Sequence, residues 1–186
     1  MKNLIIGIVL LFVGSAYVVA PVSSSKANGA DKRLDYLIGD WKSNGFVTDA
    51  KNRQQKIEME EQITAKDNEI RFTYNGINPS NGYRYKTNKI FYLDASTHDW
   101  FVKGTVQGQY TLNDKVYVTD IGTITYTFYD HAKNLMRYTI MKENEDSFTE
   151  TEEIWTKNGW DQSAWVRSLR VYKNKDYSHY FPRPSH

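Results

Sequence analysis

Glu61 stands in a run, Gln55 to Thr64, that places Ile57, Met59, Glu61 and Ile63 on one face of a strand and Lys56, Glu58, Glu60 and Gln62 on the other. A carboxylate on an otherwise apolar face must be desolvated, paired or in contact with a ligand, and a raised pKa there would suit proton transfer. The plainer reading pairs it with an inward basic residue or places it at a wet barrel mouth. Arg167 shares a face with Trp165, Leu169 and Val171, which aims it inward, where a guanidinium can fork onto the carboxylate of a fatty or aromatic acid. Tyr74, Tyr126 and Phe128 are also inward by alternation. They either line a pocket for an apolar or aromatic ligand or fill a solid core, and the pattern leaves both open.

Asp146, Glu150, Glu152 and Glu153 form an acidic stretch, and paired carboxylates are what glycoside hydrolysis or calcium binding uses. Here threonines alternate with the acids, so the stretch is a strand, with Glu150 and Glu152 on one face and Glu153 on the other. No glycine loop flanks it, and it reads as a solvated strand face. The chain has no cysteine, which removes disulfides, thiolate metal sites and thiol nucleophiles together. It has no Gly-x-Ser-x-Gly elbow, phosphate loop or His-Glu-x-x-His pattern either. No catalytic residue, metal or cofactor is assigned.

The elements that must position these residues are short alternating segments separated by turns. They run from Trp41 to Asp49, Gln55 to Thr64, Asn68 to Asn75, Arg84 to Leu93, Asp99 to Lys103, Thr105 to Leu112, Lys115 to Thr119, Gly122 to Tyr129, Leu135 to Lys142, Phe148 to Trp155 and Ala164 to Val171. Ile124, Tyr126 and Phe128 opposite Thr123, Thr125 and Thr127 give the cleanest alternation. Gly104 and Gly108 mark bulges or tight bends, and Asn113-Asp114 reads as a hairpin turn. Ahead of the strands, Leu34, Leu37 and Ile38 share one face of a short helical turn that Gly39 lets the chain leave. The pattern predicts an all-β, antiparallel up-and-down barrel of about eight to ten strands, with that helical turn as a plug at one end.

With 186 residues, 40% of them hydrophobic, the chain can build one domain with a sizeable core. Lys2 followed by the apolar run Leu4 to Ala20 reads as a secretory signal, with an uncleaved anchor as the alternative. Pro21 makes cleavage after Ala20 awkward, whereas Ser25-Lys26-Ala27 offers a small-x-small site. The expected division is therefore a signal at 1–27, a barrel at 28–172 and a flexible tail at 173–186, in a secreted or periplasmic protein. Losing Lys2 and Lys26 with the signal takes the formal charge from +2 to zero, so nucleic-acid binding loses its compositional support. After cleavage no membrane association is expected.

Gly39 and Trp41, just after the helical turn and at the head of the strands, resemble the Gly-x-Trp motif of the lipocalin and calycin superfamily. The layout from about Asp31 to Val171 is similar to bacterial secreted lipocalin-like domains of unknown function. The resemblance implies that an arginine of the last strand, Arg167 or Arg170, packs across Trp41 and closes the barrel floor. A haem-binding relative would need an inward histidine, but His98 and His131 fall in predicted turns and His179 and His186 in the tail.

The leading expectation is an exported, non-catalytic barrel holding a small, largely apolar or aromatic ligand, lined by Glu61, Tyr74, Tyr126, Phe128 and Arg167. Two alternatives stand beside it. One is an enzyme of calycin type, with isomerase, hydratase or cyclase chemistry on Glu61. The other is a structural or interaction module of the envelope that meets a protein partner through the aromatic tail Tyr177 to Pro182.

Overall fold

The structure, a computed structural model, describes residues 31–49, 51–106, 110–130 and 132–172. The expected signal and tail lie outside them, as does His131. Lys32–Leu37 forms a 3-10 helix whose start is capped by Asp31, with the Arg33 backbone N–H donating to its carboxylate at 3.1 Å. Ten strands follow: β1 (Gly39–Thr48), β2 (Gln54–Lys66), β3 (Glu69–Asn78), β4 (Tyr83–Leu93), β5 (Trp100–Val106), β6 (Tyr110–Val118), β7 (Ile124–Tyr129), β8 (Leu135–Asn144), β9 (Ser147–Thr156) and β10 (Gly159–Arg170). Each pairs antiparallel with its sequence neighbour, and β1 pairs with β10 to close the barrel. The up-and-down barrel predicted by the alternation is therefore what the chain forms, with its shortest ladder between β6 and β7, which pair at Tyr117 with Thr125 and at Val118 with Ile124.

The interior is layered. Near the end where the chain enters, Leu34, Leu37, Trp41, Ile63, Ile70, Phe72, Phe91, Ile124, Ile140 and Phe148 are almost completely buried. Burying each such large side chain contributes about 1.5–3 kcal/mol, so this layer holds a barrel that has no covalent staple. Trp41 meets the edge of Phe148 at 4.7 Å between ring centroids, and its indole N–H donates to the Leu37 carbonyl at 2.8 Å. Tyr36 Oη reaches the Gly122 carbonyl at 3.0 Å, tying the 3-10 helix to the β6–β7 connection.

Three expectations change. Asn113 and Asp114 lie inside β6, opposite Lys103 and Val102, because β5 runs on through Gly104 to Val106 and the chain reverses only after that. The Thr105 to Leu112 and Lys115 to Thr119 segments therefore do not form as separate strands. β10 begins at Gly159 rather than Ala164, with a bulge between Gln162 and Ala164. Arg167 points outward. Val166, Ser168 and Arg170 take the inner face, while Trp165 stacks on Phe46 outside with the rings 6.5 Å apart. A face chosen by Trp165 and Leu169 is off by one residue, and in a strand that flips every side chain.

Candidate functional site

Above the apolar layer runs a belt of polar side chains. Ser43 on β1 and Ser168 on β10 face each other across the seam that closes the barrel, with Oγ atoms 2.8 Å apart. Both hydroxyls donate to Oε1 of Glu61, that of Ser168 at 3.0 Å. The other oxygen of Glu61, Oε2, has no protein partner, and the residue is 2% exposed. Burial, and then the charge of Glu150, push its carboxyl well above the ordinary range, against the two serine hydrogen bonds and Lys89.

Glu150 on β9 lies opposite Ile140 and Val166, which turns it inward. It is 4% exposed, accepts the Tyr74 hydroxyl at 3.1 Å on Oε2, and leaves Oε1 without a protein partner. Burial raises its pKa, opposed by the charge of Lys89, by the Tyr74 hydrogen bond and by the neighbouring Glu61. The two acids are coupled through burial and charge: the charge of Glu150 raises the Glu61 carboxyl, while Lys89 and Tyr74 hold that of Glu150 down.

Lys89 on β4 is 5% exposed, between Thr87 and Phe91 on the inner face. Among the described residues nothing hydrogen-bonds to its amine or pairs with it within 4 Å. The ammonium instead lies 3.4 Å from the centroid of the Tyr138 ring and 5.2 Å from that of Tyr74. Burial lowers its pKa to about 8, with the charges of Glu150, Glu152 and Glu61 opposing the shift.

These groups form the inner wall of a cavity of about 150 Å³. Val47, Ile57, Met59, Ala164 and Val166, on the adjacent strands β10, β1 and β2, make an apolar side, and Tyr74, Lys89, Tyr138, Glu150 and Glu152 come in from β3, β4, β8 and β9 around it. Asn78 and Tyr83, at the β3–β4 end of the barrel and half-buried, belong to the rim. Glu152 receives the Ser163 hydroxyl at 3.2 Å, and burial raises its pKa as well.

The residues singled out from sequence divide clearly. Tyr74 lines the cavity. Glu61, Tyr126 and Phe128 are buried in the interior but outside the cavity lining. Arg167 is on the outer surface, paired with Glu143 at 2.8 Å. Arg170 lies over Trp41 beside Gly39. The acidic stretch is not a solvated face: Glu150 is buried and Glu152 faces the cavity, because both faces of β9 carry polar residues and only pairing to β8 and β10 orients it. Lys89 was missed. The signal was present, since Tyr83, Thr87, Phe91 and Leu93 form the more apolar parity of β4 and Lys89 stands on it.

No family model matches the chain, and no curated protein matches it. Among solved structures it is similar to an S-type phycobiliprotein lyase from Guillardia theta, with a TM-score of 0.56 and 13% sequence identity. The match covers 75% of this chain and 90% of the lyase. At that identity the likeness speaks to the fold alone, a closed antiparallel β-barrel.

Proposed function

We propose that this chain is an exported lipocalin-like barrel that holds a small, largely apolar ligand without transforming it. The cavity carries the reading: it is concave, apolar on one wall, and provided with a few convergent polar groups on the other. Its volume of about 150 Å³ matches an apolar cavity that takes one benzene ring, and is well below the ~300 Å³ at which drug-sized pockets begin. A ring-sized end therefore inserts, and any remainder extends past Asn78 and Tyr83. The architecture shared with the phycobiliprotein lyase is compatible with such a site. Export rests on Lys2 and the apolar run Leu4 to Ala20.

Glu61 supports a carrier more than a catalyst. One oxygen of its carboxyl accepts from both Ser43 and Ser168, and the residue does not line the cavity. Titrating the protein with benzyl alcohol while following the Met59 methyl by NMR tests the reading. A saturable shift is expected, and it should vanish in Ala164→Phe, which fills the cavity. A Met59 signal that does not respond in the wild type overturns it.

A further inference from the structure

We infer that the cavity captures a carbonyl compound, an aromatic aldehyde or ketone of single-ring size, as an imine on the Lys89 amine. The inference rests on the ligand-binding reading and adds to it the class of ligand and the bond that holds it.

Three observations meet at Lys89. Its side chain is buried and lines the cavity a ligand would enter. The amine has no hydrogen bond or close ion pair among the described residues, only the faces of Tyr138 and Tyr74. A lysine kept for structure would be expected to dock on one of the acids around it, because an uncompensated buried ammonium is costly. The cavity also supplies proton carriers: Glu150 and Glu152 line it from β9, across the interior from β4, and burial holds both carboxyls above their ordinary range. An amine desolvated in an apolar pocket is how lysine becomes a nucleophile toward carbonyls, and a pKa near 8 leaves a useful fraction as free base at neutral pH.

The step balances without an oxidant or reductant. The lone pair of neutral Nζ forms a bond to the carbonyl carbon as the C=O π pair moves to oxygen. The nitrogen loses a proton and the oxygen gains one, giving a carbinolamine. A second proton on that oxygen lets it leave as water, the nitrogen lone pair forms the C=N bond, and loss of the last N–H proton gives the neutral imine. Glu150 and Glu152 can lend and recover these protons, and water is the only product released. The apolar wall of Val47, Ile57, Met59, Ala164 and Val166 accepts the ring and limits hydrolysis.

The test incubates the full chain with benzaldehyde and sodium cyanoborohydride at pH 7, then maps benzylated lysines by peptide mass spectrometry. Benzyl alcohol, which has no carbonyl, is the competitor, and Lys89→Met is the variant that cannot react. Lys89 is expected to react at least about a hundredfold faster than the exposed Lys56, because at pH 7 an amine titrating near 8 holds roughly two hundred times the free base of an ordinary lysine. Benzyl alcohol should slow it, and Lys89→Met should leave only the slow surface reaction. If benzyl alcohol shifts Met59 while Lys89 reacts no faster than Lys56, covalent capture is overturned and the cavity reading survives. If neither Met59 nor Lys89 responds, both are overturned.

Discussion

Arg170 lies across the face of Trp41, its guanidinium carbon 4.3 Å from the indole ring, on the residue that pairs with Trp41 in the β1–β10 register. The same guanidinium donates to the carbonyls of Ile38 (2.6 Å), Tyr36 and Glu145 (3.1 Å from Nη2). One side chain thus ties the 3-10 helix, the β8–β9 turn and the barrel seam together. Arg170→Ala leaves three carbonyls without that donor and uncovers the indole, and is expected to cost about 2–4 kcal/mol in urea unfolding. Arg170→Lys should recover only part, because an ammonium cannot fork to several carbonyls while lying flat on a ring. Arg167→Ala removes an exposed pair to Glu143 and should stay within about 0.5 kcal/mol. If the two alanine variants lose the same stability, the assignment of Arg170 to the floor is wrong.

Gly39 explains the other half of the Gly-x-Trp pattern. Its φ of +150° is in the region side chains avoid, and a Cβ there would meet Arg170 Nη1 at 2.6 Å. Gly39→Ala therefore strains the backbone and displaces the guanidinium from its carbonyls. Part of its cost should disappear once Arg170 is already alanine. A double-mutant cycle is expected to show a coupling of about 1 kcal/mol or more, and additive losses would show that the two positions are independent.

Glu61→Gln should remove a pH dependence rather than create a defect. The amide oxygen can still accept from Ser43 and Ser168, and the amide nitrogen takes the place of Oε2, which has no protein partner. In the wild type the folded pKa is raised by burial and by Glu150, so the native state binds the extra proton once pH exceeds the unfolded value of about 4.5. Stability then falls as pH rises from there to the folded pKa, by about 1.4 kcal/mol for each unit between the two. The difference in unfolding free energy between Glu61→Gln and wild type should therefore grow in the variant's favour from pH 5 to 8. A variant less stable than wild type at pH 8 would contradict this.

How much of this was legible in the sequence depended on the contrast between the two faces of each strand. In β7, Ile124, Tyr126 and Phe128 alternate with threonines, and in β2 Glu61 stands out against Ile57, Met59 and Ile63, so both were orientable from spacing alone. In β9 both faces carry polar residues, and in β10 Trp165 and Leu169 compete with Val166 and Ser168. Those strands are oriented by pairing partners far away in the chain, and no local pattern holds that information. The site suffered most: Glu150 and Glu152 come from β9, and Lys89 comes from β4, where a charged residue on the apolar parity was passed over. Their meeting is a property of barrel closure, which sets β4 and β9 facing each other across the interior.

Lys89→Met tests what that meeting costs. Burial lowers the Lys89 pKa from 10.5 to about 8, so between those values the unfolded chain holds a proton that the native chain has released. Native stability must then rise with pH across that interval. Below pH 8 the penalty for keeping the ammonium inside is fully present, about 3 kcal/mol for a shift of this size. The groups facing the amine are Glu61 on β2, Glu150 and Glu152 on β9, and the rings of Tyr74 and Tyr138. Without the lysine, Glu150 and Glu152 lose the charge that holds them down and should keep their protons to higher pH, so the methionine variant need not bury an uncompensated carboxylate. Urea unfolding at pH 7 should find Lys89→Met at least as stable as wild type, and a series from pH 8 to 10.5 should find the rise in stability gone. A loss of about 2 kcal/mol or more at pH 7 would mean that the ammonium is held by net favourable contacts to the acids and tyrosines, and an amine so held is a structural cation rather than a nucleophile.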